Sequence, residues 1–340
     1  MRVRLVDVAD RAGVSRVAAG KVLLGTGGNG VRVGPDAARR IRAAARDLGY
    51  SPNTAARQLR GKPSRLISVI MGIGAPPIEL DRLAHFERRA CAAGFEIAVS
   101  AIAGPDPPDS MQAVIDSMSG RGVQGFVVLA PDEGVFRGRL PDTRGIPCAF
   151  NGVGSVFARR STVGMDLRHG GRLIGQHLVK RGRRRIGAAF IGPNVFARER
   201  LRGIRETIKR GRATLVGPVF RDDQPSLQKL PAAVADAIAA ELVTRGRADA
   251  LVTENDYWAA AFLKALRRRG ARVPDDVAVV GYNNLDLAEY TDPSLTSVEE
   301  HNDKIAAALL AQLVRQIEGN AGRAPKRVSV KPSLVVRESS

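Results

Sequence analysis

Few residues in this 340-residue chain have the types and spacing that chemistry needs. The four histidines, His85, His169, His177 and His301, are scattered, and none sits in an HExxH pair. His169 and His177 lie eight apart on one helix-like segment, which suits a surface face better than a metal site. Cys91 and Cys148 are separated by 57 residues with no CxxC, which predicts two small, reduced, buried thiols. GIGAPP (72–77) follows an apolar run but lacks a third glycine, and its prolines oppose a helix start; GVGSVFA (152–158) is no better as a dinucleotide loop. With no GxxxxGK[ST] and no GxSxG either, the expectation is no cofactor, no metal and no catalysis. One stretch is more suggestive. VADRAGVSRVAAGKVL (8–23) is an apolar-periodic helix broken at Gly13, followed by Ser15, a good N-cap for a second helix. Two helices joined this way cross steeply, and the start of the second can reach base edges in a DNA major groove. The plainer alternative is a helical hairpin with a basic surface.

Charge favours the first alternative. The chain carries 53 Lys and Arg against 34 Asp and Glu, a net charge of +19 with a pI near 11.0, which points to a polyanionic partner. Residues 1–62 hold 13 cationic and 4 acidic residues, whereas the other 278 hold 40 and 30. A general preference for arginine, visible at 183–185 and 267–269, does not explain that concentration. At 44% hydrophobic and 26% charged residues the chain can bury a core and is not disordered. It has no run of 18 apolar residues and no apolar h-region near its start, so a soluble, cytoplasmic (nucleoid-associated) protein with no membrane partner is expected.

The elements that must position such a helix are short. Helices are predicted up to Gly13, from Ser15 to about Leu24, and from Pro35 to Leu48, separated by the glycine-rich 25–34. Residues 51–62, SPNTAARQLRGK, form a basic connector that can be helical from Asn53 to Leu59. From Leu66 the texture changes to apolar runs alternating with amphipathic helices. The runs are 66–73, 95–102, 123–130 and 146–151, then 185–192, 214–220, 248–254 and 277–283; helices are expected at 79–93, 109–119, 167–181, 198–210, 230–245 and 256–269. Such alternation specifies right-handed βαβ units and buried parallel sheets. Two sets of about four strands predict two doubly wound lobes, with a ligand at the carboxyl ends of their strands.

LVDVADRAGVS…KVL and IRAAARDLGYSPNTAARQLRG resemble the DNA-binding and hinge region of the lactose-repressor/galactose-repressor family. The resemblance extends over nearly the whole chain through IPCAFN, VGMD (163–166), RERLRG (198–203), TEND (253–256), RVPDDVAVVGYNN (272–284), PSLTSV (293–298) and VVRES. It implies a helix-turn-helix module (1–50), a hinge helix (51–62) and a two-lobed core (63–340) similar to periplasmic sugar-binding proteins. Lobe 1 is expected at about 63–163 and 295–324, lobe 2 at about 164–294 and 325–340. It also implies a homodimeric regulator, usually a repressor, that binds a palindromic operator in double-stranded DNA and answers allosterically to a small effector, often a sugar.

By position, Leu5, Ser15, Arg16, Val17 and Lys21 are the implied base-reading residues. Arg16 can pair with a guanine edge and Val17 can touch a thymine methyl. In the hinge, Asn53, Ala56, Arg57 and Leu59 match the minor-groove segment, with Leu59 placed to wedge between base steps. The second helix departs from the family by carrying Ala18 and Gly20 where hydroxyls are usual and Leu24 where an amide is usual. Specific affinity then leans on Arg16, Lys21 and the hinge. The implied effector residues are Asn151, Arg198, Asn255, Asp256, Tyr257 and Asn283, with Trp258 either a stacking platform or core. Asn151 and Asn283 stand where aspartate is frequent, which argues for a neutral or anionic effector. The alternatives are a small-molecule sensor that binds DNA without sequence preference, a general DNA-coating protein and an α/β enzyme.

Overall fold

The computed structural model describes residues 3–25, 31–51, 63–102, 107–221, 230–320, 322 and 326–340. The chain divides into two compact units, Met1–Ser64 and Arg65–Ser340. The connector residues Asn53, Ala56, Arg57 and Leu59 lie outside the described residues.

In the first unit, α1 spans Leu5–Ala12, α2 Arg16–Leu24 and α3 Pro35–Asp47. Gly13 stops α1 in the left-handed conformation, at φ 62°. Ser15 then opens α2, its Oγ accepting from the Ala18 amide at 3.2 Å. Pro35 starts α3, where a missing amide proton costs nothing. The three helices bury Val8, Ala9, Ala12, Ala19, Ile41, Ala44 and Ala45 together. Gly20 is also buried, so the small residues of α2 face the other helices.

The second unit contains two six-stranded sheets. Across the first, neighbour by neighbour, lie β11 (Arg327–Val330), β5 (Thr162–Met165), β4 (Cys148–Val153), β3 (Gly125–Asp132), β1 (Leu66–Gly72) and β2 (Glu96–Ile102). Across the second lie β12 (Ser333–Val335), β10 (Thr296–Glu299), β9 (Ala278–Tyr282), β8 (Ala250–Thr253), β6 (Arg185–Phe190) and β7 (Thr214–Phe220). All pairs are parallel except β10 with β12. Valine, isoleucine and phenylalanine fill the strands because a parallel sheet is covered on both faces.

Helices α4 (Pro77–Ala92), α5 (Pro107–Gly120) and α11 (Asn302–Ile317) serve the first lobe. Helices α6 (Leu167–Lys180), α7 (Val195–Arg210), α8 (Ala232–Ala239), α9 (Asp256–Arg268) and the short α10 (Leu287–Tyr290) serve the second, α8 continuing as a π-turn to Arg245. The expected strands exist, but each sheet also holds two short strands that the apolar runs do not reveal.

Those short strands move the lobe boundaries. The chain crosses first between Met165 and Leu167, not at 163–164. β10 pairs with β9, so 295–299 belongs to lobe 2 and the second crossing falls at Glu300–His301. β11 pairs with β5, so 327–330 belongs to lobe 1 and the third crossing is at Lys331–Pro332. Backbone pairing, not hydrophobicity, assigns these strands. A second correction concerns the thiols: Cys148 is buried, its pKa raised by desolvation, but Cys91 is exposed.

Candidate functional site: a recognition helix and an interlobe cleft

The loops that follow the central strands of the second unit leave their sheets at the edge facing the cleft between the lobes. A cavity of about 120 Å³ there is lined by Pro76, Ile78, Glu79 and Arg82 after β1, Met165 at the end of β5, and Glu300 at the crossing. Asn194, Phe196, Arg200, Glu254, Asn255 and Asn283 line it from lobe 2. It adjoins a second cavity of about 450 Å³ that includes Tyr257, Asn283 and Glu299.

Two buried ion pairs frame the smaller cavity. The Arg82 guanidinium is fully buried and donates to Glu300 Oε2 at 2.7 Å, to Asn302 Oδ1 at 2.9 Å and to Asn151 Oδ1 at 2.6 Å. The Arg200 guanidinium donates to Glu254 Oε1 at 2.9 Å and to the Glu254 carbonyl at 2.7 Å. It also lies 4.2 Å from the Tyr282 ring centre, a favourable cation–π placement. Its buried Nε finds no partner among the described residues. Glu79 faces the same space, and its carboxyl is pushed up to about 7, chiefly by burial. Arg82 opposes that shift and Glu300 adds to it. Asn283 holds φ at 97° while lining both cavities, and its Nδ2 lies 3.4 Å from Glu300 Oε1. Such backbone strain at a cleft is a mark of a functional position.

The expected effector residues divide. Asn255 and Asn283 line the smaller cavity and Tyr257 the larger; Asn255 Oδ1 also caps α9, accepting from the Trp258 amide at 3.0 Å. Arg198 does not face the cleft: it donates to the Pro193 carbonyl on the exposed side of α7. Arg200, two residues on, takes that place because it falls on the buried stripe of α7 with Ala197, Leu201, Ile204 and Ile208. Asn151 is buried outside the lining, accepting from Arg82 and donating to the Val163 carbonyl at 2.9 Å. Asp256 is likewise internal: it accepts from Ser297 Oγ at 2.5 Å and from the Leu285 amide at 2.7 Å, and burial pushes it up to about 7. Trp258 is fully buried in the lobe 2 core. Glu79, Glu254 and Glu300 line the cleft and both guanidiniums are already paired, an arrangement that disfavours an anionic effector.

In the first unit, Arg16 and Val17 are exposed at the start of α2, Val17 at 52%. Ser15 faces solvent at the cap, whereas Leu5 and Lys21 are half-buried. The exposed start of α2 is therefore one cation and one branched methyl surface, mounted on a packed three-helix core.

Both the cleft and the helix have counterparts in known proteins. A periplasmic binding protein-like domain matches residues 176–340. The HTH-type transcriptional regulator CelR of Thermobifida fusca is 28% identical, over 99% of this chain and 98% of its own. The HTH-type transcriptional regulator GntR of Pseudomonas aeruginosa is 27% identical, over 100% and 96%. Over essentially its whole length the chain is thus similar to HTH-type transcriptional regulators. A solved CelR–cellobiose complex aligns over the full length of both chains with a TM-score of 0.68 at 26% identity. The Lac repressor dimer bound to operator and an anti-inducer shares the fold, with a TM-score of 0.82 at 23% identity over 100% of this chain and 99% of that one. Among the described residues, no helix is long and apolar enough to cross a membrane.

Proposed function

We propose that this regulator binds a palindromic operator as a homodimer in the cytoplasm, with α2 in the major groove, and that a small polyhydroxylated effector in the interlobe cleft sets its operator affinity. One observation carries the reading: the chain joins a capped, basic helix-turn-helix to a cleft whose buried charges come from both lobes. Arg16 and Val17 choose the sequence, Ser15 and Lys21 fix the helix on the backbone, and Leu5 supports it. The hinge roles of Asn53, Ala56, Arg57 and Leu59 rest on the sequence resemblance.

In the cleft, paired donors and acceptors on Arg200, Glu254, Asn255, Asn283 and Glu79 suit hydroxyl groups, which both give and accept hydrogen bonds. Phe196 offers an apolar surface to a ring. The smaller cavity holds the equivalent of about four waters, so a sugar would extend into the adjoining space beside Tyr257. A neutral ligand fits this balance better than an anion. The relatives are regulators, and no enzymatic role is assigned to this chain.

The test is selection of random duplex DNA on the purified chain. A two-fold symmetric motif that disappears in Arg16→Ala supports the reading. Enrichment of no motif, with affinity collapsing as salt rises, would leave a ligand sensor that holds DNA only non-specifically.

A further inference from the structure

The core has its own excess of positive charge, and it is concentrated. In lobe 2 the strands β6, β7, β8 and β9 run parallel, so the four loops that enter them lie along one edge, opposite the cleft. These loops, 180–185, 209–212, 245–247 and 267–272, carry fourteen Lys and Arg residues. Among the described residues, four carboxylates, Asp236, Asp249, Asp275 and Asp276, lie on or beside them. The local surplus of ten equals that of the whole unit Arg65–Ser340, where 40 cationic residues face 30 acidic ones. The rest of that unit is thus electrically balanced, which a uniform preference for arginine would not produce.

The loops form one surface. Arg185 donates to the carbonyls of Gly246 and Arg247, at 2.9 Å and 3.1 Å, and Arg183 donates to those of Pro274 and Asp275. The Thr214 amide donates to the Arg184 carbonyl at 2.8 Å. With strands about 4.8 Å apart, four of them set the loops across about 14 Å, enough to meet successive phosphates of a duplex. Twelve of the fourteen cations are arginine, the side chain suited to bidentate phosphate contact. The loops contain no aromatic residue for stacking on single-stranded bases and none of the exposed large apolar side chains that would anchor in a membrane.

We propose that this arginine-rich edge of lobe 2 is a second DNA-binding surface, which holds the phosphate backbone of duplex DNA without sequence preference, separately from α2.

The test compares the full-length protein with a variant carrying Arg181→Gln, Lys209→Gln, Arg245→Gln and Arg267→Gln, one in each loop. All four side chains are exposed and make no hydrogen bond or ion pair among the described residues, so the melting temperature should not change. Binding to a random-sequence 24-base-pair duplex is measured by fluorescence anisotropy between about 50 and 300 mM salt. Each lost phosphate contact flattens the slope of log K against log salt by about 0.9, so the variant should be shallower by about 2 to 4. An unchanged slope overturns the proposal. So does an unchanged DNA slope together with loss of cosedimentation on phosphatidylglycerol vesicles, which would assign the edge to a membrane surface. The outcome is separable from the recognition helix, because a protein that selects no motif still reports the difference in slope.

Discussion

Replacing Arg82 with leucine should destabilise the core more than any cavity it leaves. Its guanidinium satisfies three buried acceptors on Glu300, Asn302 and Asn151. Without it, Glu300, only 4% exposed, keeps just the long 3.4 Å contact from Asn283. A buried charge stripped of its partner costs about 3–5 kcal/mol. The unit Arg65–Ser340 has 276 residues, for which the unfolding entropy is about 0.6 kcal/mol/K. Thermal melts followed by circular dichroism should therefore fall by about 5–8 °C in Arg82→Leu. In Arg82→Leu/Glu300→Leu the unpaired charge is gone and only the two asparagine acceptors are orphaned. That double variant should recover about half the loss, a coupling of about 2 kcal/mol. A double variant that melts lower than Arg82→Leu, or a single variant within about 2 °C of the wild type, would show that the buried charge of Glu300 does not depend on Arg82.

Other outcomes follow from the same geometry. Glu79, pushed up to about 7 from an ordinary 4.5, keeps its proton in the folded protein over a range where the unfolded chain releases it, so it lowers stability as pH rises from about 4.5 to 7. Glu79→Gln should melt close to the wild type at about pH 5 and be more stable at about pH 8, by about 3 kcal/mol; equal melts at both would show that the carboxyl is not desolvated. Gly203 lets α7 meet α6: a Cβ there would fall against the Arg168 carbonyl oxygen, as one on Gly171 would against that of Arg200. Gly203→Ala should cost about 1–3 kcal/mol in urea titrations and displace Arg200 from the cleft, whereas Arg198→Ala, on the exposed side of the same helix, should do neither. Ser15→Ala, which removes the cap of α2, should cost about 1 kcal/mol and weaken DNA binding, while Ser15→Asp restores the melt but not the binding, because it sets a negative charge beside phosphate.

Much of this architecture is legible in residue order. Gly13, Ser15 and Pro35 mark the helix ends of the first unit, and the apolar runs mark the central strands because both faces of a parallel sheet are buried. TSVE, RVSV and SLV are not legible as strands, since they are short and their place is decided by pairing with distant partners. The cleft is less legible, and the reason lies in helical period. Arg200 occupies the apolar stripe of α7, and Arg82 stands four and eight residues before the buried Phe86 and Ala90 of α4. An arginine on the buried face of a helix must have an acid or amide waiting for it; that signal is present in the residue order and points to Arg200 over Arg198. Its acid, Glu254, stands beside Asn255 in TEND. Glu300 can be found only once the crossing between lobes is fixed.

The proposed function requires that occupancy of the cleft and affinity for operator be linked in one chain. The direct measurement takes a carbohydrate that raises the melting temperature of the wild type but not of Arg200→Met, and titrates the selected operator with and without it. Linkage predicts a change in operator affinity of about 5- to 150-fold that is absent in Arg200→Met. A cleft-bound compound that leaves operator affinity unchanged would rule out that linkage.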